Sequence, residues 1–218
     1  MMQKTWVKAP VNPNNIALQA GCGAVLDALA WCLCESGDSC ISPGPIYPAF
    51  PNDFYARSRV NFVVSPTKVE NNYEPTKQEL EKAYKNQMKA GSTPRILLLC
   101  HPNNPTGRIY SVKTLKMCIE WCKSKSMHLV SDEIYANSVF PGEKFVSVAK
   151  IMKDLNKNTN YLGNYVHICG GFSKDFALSG FRAGICFTHN QDLYGAMDSL
   201  GYFQSVSTFT QNLLTKML

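Results

Sequence analysis

The run Arg95-Ile96-Leu97-Leu98-Leu99-Cys100-His101-Pro102-Asn103-Asn104-Pro105-Thr106-Gly107 decides the fold class. From Ile96 to Cys100 it is apolar without a break, the pattern of a strand buried on both faces of a parallel sheet. Such a strand delivers the loop at its carboxyl end to the edge where open α/β sheets bind ligands. Prolines on either side of Asn103 and Asn104 restrict that loop, so the Asn104 amide is presented in a defined direction. The plain alternative is that both asparagines make only turn hydrogen bonds.

Downstream the pattern alternates. A helix is expected over Ser111 to Lys125, then a strand over Met127 to Ser131 that ends in Asp132-Glu133-Ile134-Tyr135. Acidic residues stopping a buried strand are unusual for packing alone. Asp132 and Tyr135, three apart, can face one ligand if the chain turns there, while Glu133 is expected to bond the scaffold. A helix and polar connection fill Lys144 to Asn164. Next comes Gly170-Gly171-Phe172-Ser173-Lys174-Asp175-Phe176-Ala177-Leu178-Ser179-Gly180-Phe181-Arg182, held between the apolar segments Val166–Cys169 and Ala183–Phe187. A lysine between two core strands is expected to be buried, with its pKa depressed, and a neutral amine is what condenses with a carbonyl. Lys174 is therefore the candidate covalent residue, a solvated Ser-Lys turn being the alternative. Asn190 to Leu218 reads as helical.

Upstream, Ile16–Ala20 reads as a short strand running through Gly21-Cys22-Gly23-Ala24 into a helix over Val25 to Cys34. Glycines at a helix start leave backbone N–H groups and the helix dipole pointing at an anion; the alternative is a tight turn without ligand. Gly37-Asp38 marks a turn and Ser39 to Ser42 a strand. In Pro43-Gly44-Pro45-Ile46-Tyr47-Pro48, Tyr47 is fixed between restricted positions, either to stack on a flat ligand or to pack the loop. A strand over Arg59 to Ser65 and a helix over Thr76 to Ala90 complete the series. Alternating strands and helices predict a three-layer α/β/α fold around a mostly parallel sheet, with the motifs gathered at its carboxyl edge.

The 218 residues fit one large domain, 1–218, better than two small ones. Hydrophobic residues make up 45%, enough for a folded core; charged residues make up only 17%, so part of the surface is expected to be covered by another domain or subunit. The net charge of +6 is scattered, without a basic run or aromatic stripe, which argues against nucleic acid. Nine cysteines, odd in number and set in apolar segments, read as free thiols in a reducing compartment. Cys118 and Cys122 fall on one helical apolar face with Leu115 and Ile119 and read as core, without a metal. No secretory signal or membrane-spanning run is visible, so a soluble cytoplasmic protein is expected. The histidines His101, His128, His167 and His189 form no catalytic or metal set.

Taken in order, AGCGAVLDAL, PGPIYPAF, HPNNPTG, SDEIY and GFSKDFALSGFRAG resemble the pyridoxal-phosphate-dependent aminotransferases of class I and II, of fold type I. The resemblance covers nearly the whole chain. SKDFALSGFRAG, THN and GYFQSVSTFTQNLL look most like the 1-aminocyclopropane-1-carboxylate synthase branch.

This resemblance implies the fold of the large, cofactor-binding domain, pyridoxal 5'-phosphate as cofactor, an amino-acid substrate and a homodimer. It makes Lys174 the lysine that forms the Schiff base, with Ser173 beside it, and Asp132 the partner of the pyridine nitrogen. Asn104 and Tyr135 match the residues bonding the phenolic oxygen, Tyr47 the stacking position, Cys22 and Gly23 the phosphate-cradling amides, and Arg182 the phosphate-binding arginine. Catalysis falls to Lys174, Asp132 and Tyr135. The carboxylate keeps the pyridinium protonated, so that the ring accepts the electron pair left when a bond to Cα breaks, and the freed lysine moves the Cα proton. Gly171 and Gly23 stand where many members carry hydroxyl residues, so weaker phosphate binding is expected.

The resemblance also implies that the chain is truncated at both ends and lacks the complete small domain. The family's substrate-carboxylate arginine lies beyond this sequence, and its tyrosine donated across the dimer lies before it. The expected reaction is transamination or a synthase-type α,γ-elimination. A catalytically inactive or regulatory cofactor-binding domain is the alternative, and a cofactor-free lysine lyase a remote one.

Overall fold

A computed structural model describes residues 1–217. Seven strands form one sheet: β1 (Ile16–Gln19), β2 (Ser39–Pro43), β3 (Asn61–Ser65), β4 (Pro94–Cys100), β5 (His128–Asp132), β6 (Val166–Gly171) and β7 (Gly184–Thr188). The spatial order is β1-β7-β6-β5-β4-β2-β3. Strands β3, β2, β4, β5 and β6 pair in parallel, whereas β7 lies antiparallel to both β6 and β1. The expected mostly parallel sheet is present, with β4 near its middle.

The pleat explains the two helical layers. Alternate residues of a strand face opposite sides. Leu97, Leu99, Leu129, Ile168 and Phe187 enter one core with helices α3 (Lys77–Lys89), α4 (Val112–Lys125) and α5 (Val148–Leu155). Ile96, Leu98, Val130, Cys169 and Cys186 enter the other with α1 (Cys22–Leu33), α2 (Phe50–Tyr55) and α6 (Gln191–Gln204). Cys118 and Cys122 are buried on α4, as the helical spacing predicted.

Helix ends follow local chemistry. Thr76 and Glu79 form a reciprocal capping box at the start of α3, and the Ser111 hydroxyl caps α4 by accepting the Thr114 N–H at 3.1 Å. By contrast, the residue before α1, Gly21, has φ +94° and makes no side-chain cap, and the helix begins at Cys22, three residues before the expected start. The C-terminal helical stretch is two helices, α6 and α7 (Thr208–Met217), broken at 205–207; Leu218, included in the expectation, lies outside the described residues.

The histidines are structural. His101 accepts the Tyr110 N–H on Nδ1 at 3.2 Å and donates from Nε2 to the Val146 carbonyl at 3.1 Å; burial pushes its pKa down to about 4. His128 and His167 are not isolated, because adjacent strands bring Nδ1 of one to within 3.0 Å of Nε2 of the other. Among the described residues no helix is long and apolar enough to cross a membrane.

Candidate active site

Strands β1, β2, β4, β5 and β6 end at one edge of the sheet, and β7, running the other way, begins there. A cavity of about 290 Å³ opens at that edge. All nine residues singled out from the sequence line it: Cys22 and Gly23 from the start of α1, Tyr47 after β2, Asn104 after β4, Asp132 and Tyr135 at the end of β5, Ser173 and Lys174 after β6, and Arg182 before β7.

The anion end is built from close backbone approach. The N–H groups of Cys22, Gly23 and Ala24 precede the first helical bond of α1, from Val25 N to the Gly21 carbonyl at 3.2 Å, and are oriented as an anion cradle. Arg182 lies beside them, donating from Nη1 to the Ser179 carbonyl at 3.0 Å and from Nη2 to the Ala20 carbonyl at 3.2 Å. Gly184 is pressed against this turn: a Cβ there would lie 2.6 Å from both Cys22 N and the Gly21 carbonyl oxygen. The positive charge and the amides thus share one corner.

The floor is acidic. Asp132 is 4% exposed, and burial pushes its carboxyl up to about 6 despite hydrogen bonds from the Ile134 N–H (3.2 Å) and the Cys22 thiol (3.6 Å). Glu133 turns away from the cavity, as expected. Its Oε1 accepts the Ser131 hydroxyl at 3.1 Å and the Val148 N–H at 2.9 Å, and burial raises its carboxyl to about 7. The Asn104 amide, also lining the cavity, donates to the Tyr135 hydroxyl at 3.4 Å. Tyr47 is 39% exposed and set edge-on to Phe50, its ring bordering the cavity.

Lys174 departs from the expectation of burial. Its side chain is solvent-exposed at the cavity wall, because the residues after Gly171 leave the sheet in a turn closed by the Ala177 N–H on the Lys174 carbonyl at 3.2 Å. That turn is tethered by Asp175, which accepts the Asn137 N–H at 2.8 Å and the Ser138 hydroxyl at 2.6 Å. The segment carrying Lys174 is thereby fixed to the one that follows Tyr135. Arg182 is exposed as well.

Two residues escaped the sequence reading. Asp175 gave only a charge in a loop. Asp53, on α2, lines the cavity beside Gly23, and burial with Asp27 nearby raises its carboxyl to about 6. Its signal was absent locally, since only the packing of α2 on α1 brings it to the site.

Residues 4–218 match the family described as aminotransferase class I and II. The chain is 35% identical to 1-aminocyclopropane-1-carboxylate synthase 6 of Oryza sativa subsp. japonica, over 94% of its own length and 38% of that protein's. It is also 35% identical to synthase 7 of Arabidopsis thaliana, over 97% and 47%. It therefore spans less than half the length of these relatives. Among solved structures, the pyridoxal-phosphate-bound C-S lyase of Staphylococcus hominis superposes with a TM-score of 0.81 at 20% identity, covering 96% of this chain and 50% of that one. The aspartate aminotransferase of Rhizobium meliloti gives 0.81 at 22%, covering 96% and 49%. These neighbours share the three-layer fold.

Proposed function

The chain belongs to the class I and II aminotransferase family, and from that premise we propose that it binds pyridoxal 5'-phosphate at the carboxyl edge of its sheet and acts on an α-amino acid through Lys174. The observation that carries this reading is the convergence of all nine residues on one cavity from six separate strand ends. The donor set fits a phosphorylated pyridine. The uncapped start of α1 and Arg182 suit a phosphate, the Asp132 carboxylate suits a protonated ring nitrogen, and the Asn104–Tyr135 pair suits a phenolic oxygen.

When bound, pyridoxal phosphate supplies an electron sink for the pair left at the substrate Cα. The chain's own residues do the rest. Arg182 and the amides of Cys22 and Gly23 neutralise the phosphate. Asp132, raised only to about 6, is ionised at neutral pH and holds the ring nitrogen's proton. Asn104 and Tyr135 would hold the phenolic oxygen, Tyr47 would meet the ring, and Ser173 lines the cavity next to Lys174. Lys174 would anchor the cofactor, and its amine would move the proton at Cα.

Titration with pyridoxal phosphate tests this. A yellow band that borohydride fixes to the protein, lost in Lys174→Ala, is expected; a folded chain that gives no such band overturns the reading. An added amino acid that changes the band supports turnover, and the product, a keto acid or a ring-closed amino acid, separates transamination from α,γ-elimination. An unchanged band assigns the chain a cofactor-holding or regulatory role without turnover.

The same reading takes the chain to be a cytoplasmic homodimer. Its nine cysteines are free, and Tyr202, Phe203 and Phe209 stand 91, 88 and 77% exposed. Sedimentation at rising concentration checks the dimer.

A further inference from the structure

The two oxygens of Asp132 are not equivalent. Oδ1 accepts both the Ile134 N–H at 3.2 Å and the Cys22 thiol at 3.6 Å. Oδ2 has no hydrogen-bond partner among the described residues and is not sealed from the cavity that Asp132 lines. The thiol is a donor here: burial, then the neighbouring Asp132 charge, push its pKa well up, so it keeps its proton through the physiological range. The ionisable groups around Asp132 are Cys22 on α1, Asp53 on α2, Cys100 on β4, Cys169 on β6, Lys174 in the following turn, and Glu133 and Tyr135 on its own segment. Of these only Lys174 is a cation, and Asp53 opposes ionisation as burial does. The charged form of Asp132 therefore leans on the two donors to Oδ1.

We propose that Cys22 is a positioning residue for Asp132: its thiol proton ties Oδ1 to the start of α1, so that Oδ2 is the oxygen presented to the cavity. This assigns the Cys22 side chain a task separate from that of its backbone N–H, and it rests on the reading of Asp132 as the partner of a cofactor ring nitrogen. A thiol serves where a hydroxyl would fall short, since sulfur's longer bond reaches the carboxylate across 3.6 Å. Removing it leaves the carboxylate with one donor in a buried setting.

The test begins on the full chain without cofactor, by ¹³C NMR titration of aspartate-labelled protein, with Asp132 assigned by the resonance lost in Asp132→Asn. In Cys22→Ala the Asp132 midpoint is expected to rise by roughly 0.5–1 unit, the worth of one ordinary hydrogen bond. Cys22→Ser, which restores a weaker-reaching donor, falls between. Circular dichroism confirms the fold of each variant, and Cys22→Ser carries the comparison if the alanine variant does not fold. An unmoved midpoint in a folded variant overturns the proposal. With pyridoxal phosphate added, affinity is expected to fall more steeply below pH 7 in Cys22→Ala than in the parent. A shifted midpoint in a chain that binds no pyridoxal phosphate upholds the positioning by Cys22 while defeating the cofactor reading, so the two failures are distinct.

Discussion

Arg182 is packed on Gly21 so closely that a Cβ on the glycine would lie 2.6 Å from the centre of the guanidinium. Gly21 also has φ +94° and ψ 166°, a region open in practice only to glycine. Gly21→Ala is therefore expected to cost about 1–3 kcal/mol of backbone strain and to displace Arg182. Affinity for pyridoxal phosphate should fall by about tenfold or more, equivalent to roughly 1.4 kcal/mol. Isothermal titration beside urea unfolding separates the two losses.

Gly184→Ala should be worse for the fold. Its added carbon meets backbone, at 2.6 Å from Cys22 N and the Gly21 carbonyl oxygen, and neither can rotate away. Separation of the start of α1 from β7 is expected, with a lower urea midpoint than Gly21→Ala gives.

Leu98 is fully buried in the interior strand β4, within the core shared with α1 and α2. Leu98→Ala should destabilise the chain by about 2–5 kcal/mol through lost transfer energy and the cavity left behind. Denaturant unfolding with unchanged slope checks it.

Two buried groups give the stability curve opposing limbs. His167, pushed down to about 3 by burial and then by His128, takes up its proton in the unfolded chain at about 6.5. Stability is thus lost as pH falls from 6.5 toward 3. Glu133, raised to about 7, holds its proton in the folded chain where the unfolded one has released it, so its contribution is full below about 4.5 and lost as pH rises through 7. Urea unfolding across pH is expected to show a flatter acid limb in His167→Gln and a flatter neutral limb in Glu133→Gln.

Thiol labelling should be slow in the folded state. Cys40, Cys100, Cys118, Cys122, Cys169 and Cys186 are buried, and burial raises the more accessible Cys32 and Cys34 to about 11 and about 12. Ellman's reagent at neutral pH is expected to react fully with all nine only in denaturant.

The central sheet is readable because an unbroken apolar run such as Ile96 to Cys100 has few other uses, and the edge residues because each lies within a few positions of a strand terminus. The exposure of Lys174 has a geometric reason. Flanking strands imply a buried neighbourhood, yet the turn after Gly171 lifts its side chain into solvent. Asp53 and the His128–His167 pair depend on which elements become neighbours, 39 residues apart in the second case. The gap at 205–207 in the last helical stretch carries no glycine or proline to announce it.

The reversal of β7 has a mechanical consequence. Because Gly171 pairs with Gly184 across antiparallel strands, residues 172–183 leave and re-enter the sheet at a single clamped base, with the amine near one end and the guanidinium near the other. The ladder, more than the loop, sets the span between those two charges. The segment is in effect a cassette: its middle, around Gly180, where an added Cβ meets nothing within 4 Å, can be rewritten while both anchors stay in register.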